Sequence, residues 1–416
     1  PQTYGTLIDI EGQAYEYRLS EYSNKQFNPQ IVRIDENNLF LGFYNFEGKV
    51  YYQLLNNNLE LLGESMPVYN NSVEQASSER LPMIYSSGDG FVYYAYSQSD
   101  GIYMQKYDVL GTELWDQNKL IASNSGDNII NKIFYSQNGD LVILHDNRSF
   151  FAKEVRTTKL TNNGDIIDNW NNQIISTENM ESVYQHSIQI SNGAFLVWYD
   201  DDDKNIYGLK LLFDSNNPSA SEVVNISSSG YLYTNTITLD YNLNLNEVLV
   251  CWQEQVGGVY NIQCSSVDLE NMVSSYPDYV YQDNSNTQKN PIIKATENST
   301  YFISWEDERQ GNYSDLFIQE LSTNGQIFLE YDGQELCSAG FNQYNRGIES
   351  ISNQNEYISF WEDDRSSGKE FVTNIFAQKL VPSDCPNLGD LNGDGGYNVL
   401  DIVTLANCVL SQNCNN

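Results

Sequence analysis

Near the carboxyl end, Asp390, Asn392, Asp394, Asn398 and Asp401 stand at positions 1, 3, 5, 9 and 12 of a twelve-residue run. Gly395 holds position 6, where a metal-binding loop must turn sharply, and Gly396 at position 7 offers a backbone carbonyl. A hard divalent cation takes roughly six to eight oxygens, so this pattern predicts a Ca2+ site. Tyr397 takes position 8, where such loops keep an apolar residue. The run that follows places Val399, Ile402, Val403, Ala406 and Leu410 on one helical face. A calcium loop followed by a short amphipathic helix is therefore expected.

Six cysteines offer a second kind of chemistry. Gly257-Gly258 is a favoured two-residue hairpin turn, and centring a hairpin there sets Cys251 opposite Cys264. Counted outward from the turn, that pair is non-hydrogen-bonded, the closer kind, and its spacing suits a disulfide. Cys337, Cys385, Cys408 and Cys414 allow three pairings, with Cys385 expected to join Cys408 or Cys414. Disulfides imply an oxidising, extracytoplasmic compartment.

The remaining reactive residues point away from catalysis. His145 and His186 are the only histidines, and neither sits at metal-ligand spacing nor beside a nucleophile motif. Asp200-Asp201-Asp202-Asp203 reads as a solvated acidic turn. A pair of carboxylates suited to glycoside hydrolysis is not singled out among so many. No phosphate-binding glycine loop, zinc cysteine set or dinucleotide fingerprint occurs.

The charge balance is lopsided: 21 Lys and Arg against 56 Asp and Glu give −35. Such a surface repels phosphate backbones and anionic lipid, so nucleic acid is excluded as a partner. No apolar run is long enough to span a bilayer. The chain begins at Pro1, which reads as a mature, processed form of a secreted or cell-surface protein. Aromatics make up 13%, with 31 tyrosines, a strand-rich composition.

These residues must be positioned by a repeated element. A motif of aliphatic, aromatic, any residue, often Gln, any residue, Leu appears as Val50–Leu55, Ile102–Tyr107, Leu316–Leu321 and Ile375–Leu380. Weaker copies are Val155–Leu160, Ile206–Leu211 and Val259–Cys264. A second marker, Trp198, Trp252, Trp305 and Trp361, ends strand-like runs. Acidic turns follow three of them: Tyr199-Asp200, Glu306-Asp307-Glu308-Arg309 and Glu362-Asp363-Asp364-Arg365. The recurring Asp is expected to pair with Arg309 or Arg365 and close a turn. Asn28-Pro29, Leu81-Pro82 and Asn290-Pro291 open units. A period near 50 with several short strands per unit is the signature of propeller blades. The expected fold is all-β, a seven-bladed β-propeller over 1–384 with a small calcium loop-helix module over 385–416. Eight blades or a two-part β arrangement are the alternatives. Thr6–Ile10 and Ala14–Leu19 are also strand-like and are expected to complete the last blade.

The Trp-x-Asp-x-Arg turns over 27–380 resemble the W-x-D-x-R β-propeller repeats of large secreted bacterial proteins. The last thirty residues resemble one half of a dockerin, an EF-hand-like docking module, with one loop-helix repeat where dockerins carry two. The resemblance implies an extracellular location and a C-terminal module that docks onto a protein partner. Two functions are open. One is a non-enzymatic assembly or surface protein, its tail docking onto the next copy in a filament, hence a homo-oligomer. The other is a glycan-binding propeller, less readily a glycan hydrolase, anchored by the same tail.

Overall fold

The computed structural model describes residues 4–8, 14–18, 26–45, 50–56, 58–67, 83–86, 88, 90–98, 100–123, 127–148, 153–175, 185–200, 203–227, 232–275, 278–281, 285–311, 313–352, 355–363 and 374–382. Within them the protein is all-β, built of repeated antiparallel sheets, with one short 3-10 turn at Asp168–Trp170. Seven meander sheets follow one another, over 26–67, 83–122, 127–174, 185–225, 232–281, 288–337 and 343–380. The chain divides into two compact units, Pro1–Asn225 with the first four sheets and Ile226–Asn416 with the last three.

The second strand of each sheet explains the composition. Phe91–Gln98 is buried at its six inner positions, and Thr300–Asp307 is buried at all eight. Such strands are covered on both faces, so they read as continuous apolar and aromatic runs instead of alternating ones. Within the first unit, Phe134, Val142 and Leu144 of the third sheet pack on Ala194, Leu196 and Trp198 of the fourth. Within the second, Leu249, Cys251 and Ile262 of the fifth sheet pack on Ile303, Trp305 and Phe317 of the sixth. Trp198, Trp252 and Trp305 are fully buried, which accounts for their recurrence.

The other markers have mechanical jobs. Asn28-Pro29 and Asn290-Pro291 fall where the first strands slip register, between Phe27 and Gln30 and between Lys289 and Ile292. Proline cannot donate to the ladder, so it sits at a bulge. The recurring glutamine is a clamp. Gln53, Gln105 and Gln319 are each 0% exposed. Their Nε2 groups donate to the carbonyls of Gly63, Trp115 and Glu330, at 3.0, 3.2 and 2.7 Å. Each thereby fastens the segment after the third strand back onto its own sheet.

The hairpin expected in the fifth sheet is present. Gly257 and Gly258 turn with φ of +63° and +96°, and Cys251 pairs with Cys264. The two are disulfide-bonded with Cα atoms 4.1 Å apart, the short separation of a non-hydrogen-bonded antiparallel pair. The first strands are present as strands. Tyr4–Ile8 and Ala14–Arg18 pair with each other as a two-stranded sheet. Among the described residues the last sheet has three strands, Gln343–Ser352, Glu356–Asp363 and Asn374–Leu380, so its completion by the first strands is not among the described pairings.

Candidate functional site

The predicted calcium ligands Asp390, Asn392, Asp394, Gly396, Asn398 and Asp401 lie outside the described residues, as do Cys385, Cys408, Cys414 and Arg365. Cys337 is half-buried at the end of Gln334–Cys337. His145 is 0% exposed, with Nε2 3.3 Å from Thr158 Oγ1. Burial, helped by the charge of Arg156, pushes its pKa down to about 3, so it is a neutral core residue. His186 is half-buried and also shifted down by burial. Asp203 closes the acidic turn by accepting from Asn205 N at 3.0 Å and from the Tyr207 hydroxyl.

The Trp-Asp-Arg marker is resolved in the sixth sheet. Asp307, at 0% exposure, accepts Trp305 Nε1–H at 2.9 Å and Arg309 Nη2–H at 2.6 Å on one oxygen. Its other oxygen accepts the Arg309 backbone N–H at 2.9 Å. A buried charge must be paired and hydrogen-bonded, and this one is. The Arg309 guanidinium lies 4.0 Å from the Phe317 ring centroid and 4.6 Å from that of Tyr281. Its Nη1 donates to the Asp332 carbonyl at 2.7 Å. On the neighbouring strand, Asp315 pairs with Asp307 in register. Burial, then the charges of Glu335 and Asp307, push its pKa up to about 6.

The clip therefore fastens a loop, Glu330-Tyr331-Asp332-Gly333. Gln319 holds its first carbonyl and Arg309 its third. Gly333 N donates back to Glu330 O at 2.9 Å, closing a tight turn. Gly333 has φ +86°, and a Cβ there would come within 2.4 Å of the Trp305 ring, so no other residue fits without displacement. On this fixed turn the Tyr331 side chain is 77% exposed, with its ring 6.1 Å from Tyr281 and at 87° to it.

Tyr281 and Tyr331 stand at a cleft of about 560 Å³ between the fifth and sixth sheets. Ser266 and Ser275 line it from the fifth sheet; Ser322, Thr323 and Asn324 line it from the sixth. Among the described residues that line it there is no Asp, Glu, Lys, Arg or His. The carboxylate of Glu247 meets the cleft through a hydrogen bond with Thr323, and burial raises its pKa. The disulfide backs the cleft through Cys264. The arrangement can hold an uncharged ligand with hydroxyl-bonding groups and apolar faces; it places no general acid or base in the lining. Neither tyrosine was marked by the repeat pattern. The signal available was a departure: the residue after the Gln-held carbonyl is Glu64 in the first sheet, Asp116 in the second and Tyr331 in the sixth.

No family model and no curated protein matches the sequence. Solved structures resemble the strand arrangement, and they include β-propeller proteins. One is the BP39L lectin from Burkholderia pseudomallei, 10% identical, covering 78% of this chain and 93% of its own, with a TM-score of 0.48. A second is the β-propeller domain of the Trilobed protease from Pyrococcus furiosus, 8% identical, covering 87% and 98%, with a TM-score of 0.46. A third is the polysaccharide lyase Uly1, 10% identical, covering 90% and 93%, with a TM-score of 0.46.

Proposed function

We propose that this chain is a secreted, non-enzymatic β-propeller of seven blades whose calcium-folded tail docks onto a protein partner, the next copy of itself in an extracellular filament. The observation that carries this reading is the twelve-residue Asp390–Asp401 pattern with its amphipathic sequel. The Cys251–Cys264 bond supports the oxidising compartment. A tail that enters a different surface of the next copy makes a heterologous contact, and such contacts propagate as rings or filaments. The test is particle size by light scattering and electron microscopy, with and without a calcium chelator, on the full chain and on the double variant Asp390→Ala/Asp394→Ala. Large particles that fall to monomers in both cases are expected. Particles indifferent to calcium and to both substitutions would defeat the reading.

A second reading, glycan binding with the tail as anchor, is favoured by one observation: the uncharged cleft flanked by two tyrosines. It is compatible with the first, since tail and cleft are separate parts of the chain.

A further inference from the structure

We infer that the cleft between the fifth and sixth sheets binds a neutral oligosaccharide, with Tyr331 and Tyr281 as its stacking rings and Arg309 as the residue that positions them. This rests on the glycan-binding reading above and gives it a site and a ligand class.

The first step is that the cleft is a departure from the repeat. Three turns after third strands share one hydrogen bond, Gly111 N to Asp108 O, Gly164 N to Thr161 O and Gly325 N to Ser322 O. At Gly111 an added Cβ would lie 2.8 Å from Tyr52 of the preceding sheet; at Gly164 it would lie 2.7 Å from Trp115. Both turns rest on an aromatic ring that fills the space between sheets. At Gly325 nothing lies within 4 Å. The fifth sheet puts Ile262 where the clamp glutamine stands. The space thus left open is the cleft, and its volume falls in the range of ligand pockets, roughly 300–1,000 Å³.

The second step is the display of Tyr331. An aromatic ring in water gains nothing from burial, yet the residues on either side of Tyr331 are held by Gln319 and Arg309, and Gly333 packs close to Trp305. A fixed, exposed aromatic on a loop is the form a binding anchor takes, because little order remains to be imposed when a ligand arrives. Arg309 covers one side of Tyr281 and bonds the Tyr331 loop, so one side chain sets the angle between the rings.

The third step selects the ligand. A chain of charge −35 with no cation among the described lining residues disfavours a polyanion. Among the described lining residues there is no carboxylate for a cation to meet, and Glu247 reaches the cleft only through Thr323. An apolar ligand would shut water away from the hydroxyls of Ser266, Ser275, Ser322 and Thr323, which keep further bonding capacity although Ser275 accepts from Ser266 N, Ser322 donates to Asn324 Oδ1 and Thr323 bonds Glu247. These hydroxyls both donate and accept, and Asn324 adds an amide whose Nδ2 has no partner among the described residues. A neutral sugar has both complements: hydroxyls at its rim and C–H faces for the two rings.

The experiment is calorimetric titration of the calcium-loaded full chain with neutral hexasaccharides (β-glucan, β-mannan and α-arabinan types) and with a uronate hexasaccharide. At least one neutral sugar should bind, with a Kd unchanged when salt is raised tenfold. Tyr331→Ala should weaken it by about tenfold or more, as truncated aromatic anchors do. Tyr331→Phe should restore binding, and Tyr313→Ala, an exposed tyrosine outside the cleft, should leave it unchanged. Neutral-sugar binding that survives Tyr331→Ala would overturn this site while leaving glycan binding in place. Binding of the uronate alone, lost with salt, would overturn the neutral class. No binding of any sugar would sink the site and the glycan reading together.

Discussion

Inter-sheet clefts within the two compact units separate what the repeat does from what this chain does with it. Between the second and third sheets one cleft of about 260 Å³ is lined by Lys106, Asp116 and Lys119, and another of about 400 Å³ by Leu120, Ala122, Asn171 and Asn172. Trp115 fills the floor of the first, packed 6.2 Å from Tyr93 and under Gly164. Lys106 spans the gap to Asn162 and sits 3.9 Å over the Phe91 ring. Between the fifth and sixth sheets the gap is about 560 Å³, the lining carries no formal charge among the described residues, and the tyrosine is at the rim instead of the floor. The same clamp glutamine organises the loops in both cases. In the one case the aromatic ring packs beneath the turn, in the other it stands exposed at the cleft's edge.

The comparison breaks most sharply at Asp307. It is the buried carboxylate that pairs Trp305 and Arg309, and the second sheet shows no such clip among its described bonds. Asp307→Ala would strand a guanidinium and an indole N–H, and breaking a buried pair costs about 3–5 kcal/mol. Denaturant unfolding should show that loss, and the fluorescence of the full chain should report a loosened tyrosine pair. A cost below about 1 kcal/mol would mean the clip is dispensable and the rim tyrosines are held by other means.

A smaller effect is expected when the closed cleft is opened. Trp115→Ala removes a ring that is 7% exposed, and such truncations cost about 3 kcal/mol or more. Tyr331→Ala, on the open cleft, should change stability by no more than about 0.5 kcal/mol. The contrast is measured by paired denaturation curves. Equal costs would erase the distinction between a structural ring and a displayed one.

These two rings also mark how far the sequence could be read. The period, the tryptophans, the glutamine and the Asn-Pro dipeptides recur because each does the same mechanical work in several sheets, so repetition alone exposed them. Cys251 and Cys264 were legible because a Gly-Gly turn fixes register by counting. The cleft was not. It arises where the repeat fails, at Ile262 in place of glutamine and at Gly325 with no ring beneath it, and a failure of pattern in one unit looks like ordinary drift until the neighbouring sheet is in place. The N-terminal strands show a further limit. Their type is legible in the strand-like runs Thr6–Ile10 and Ala14–Leu19, and they pair with each other, but which sheet they join lies outside the described pairings.

The smallest effect is in the pH dependence, where the two units should move in opposite directions. His145 in the third sheet is held neutral to about pH 3 by burial, whereas an unfolded histidine protonates near 6.5. Below pH 6.5 the unfolded chain therefore binds the extra proton, and stability falls with falling pH until about 3, by at most about 1.4 kcal/mol per pH unit for this one group. Asp315 in the sixth sheet has the reverse sign. Its carboxyl titrates near 6 in the folded protein against 3.8 in the open chain, so the native state binds more protons between those values. Stability is lost as pH rises from about 4 to 6, and the cost persists above. Asp315→Asn should accordingly stabilise the protein by about 1 kcal/mol above pH 6 and by nothing below pH 4. His145→Gln should flatten the acid limb between pH 6.5 and 3, and leave neutral pH governed by whatever packing it loses. Unfolding midpoints of the two variants across that range provide the check. If Asp315→Asn gave the same gain at pH 3.5 as at pH 7, the burial of the Asp315 charge and its crowding by Glu335 and Asp307 would not be the cause. The carboxylates around the clip would then impose no charge strain on the cleft they support.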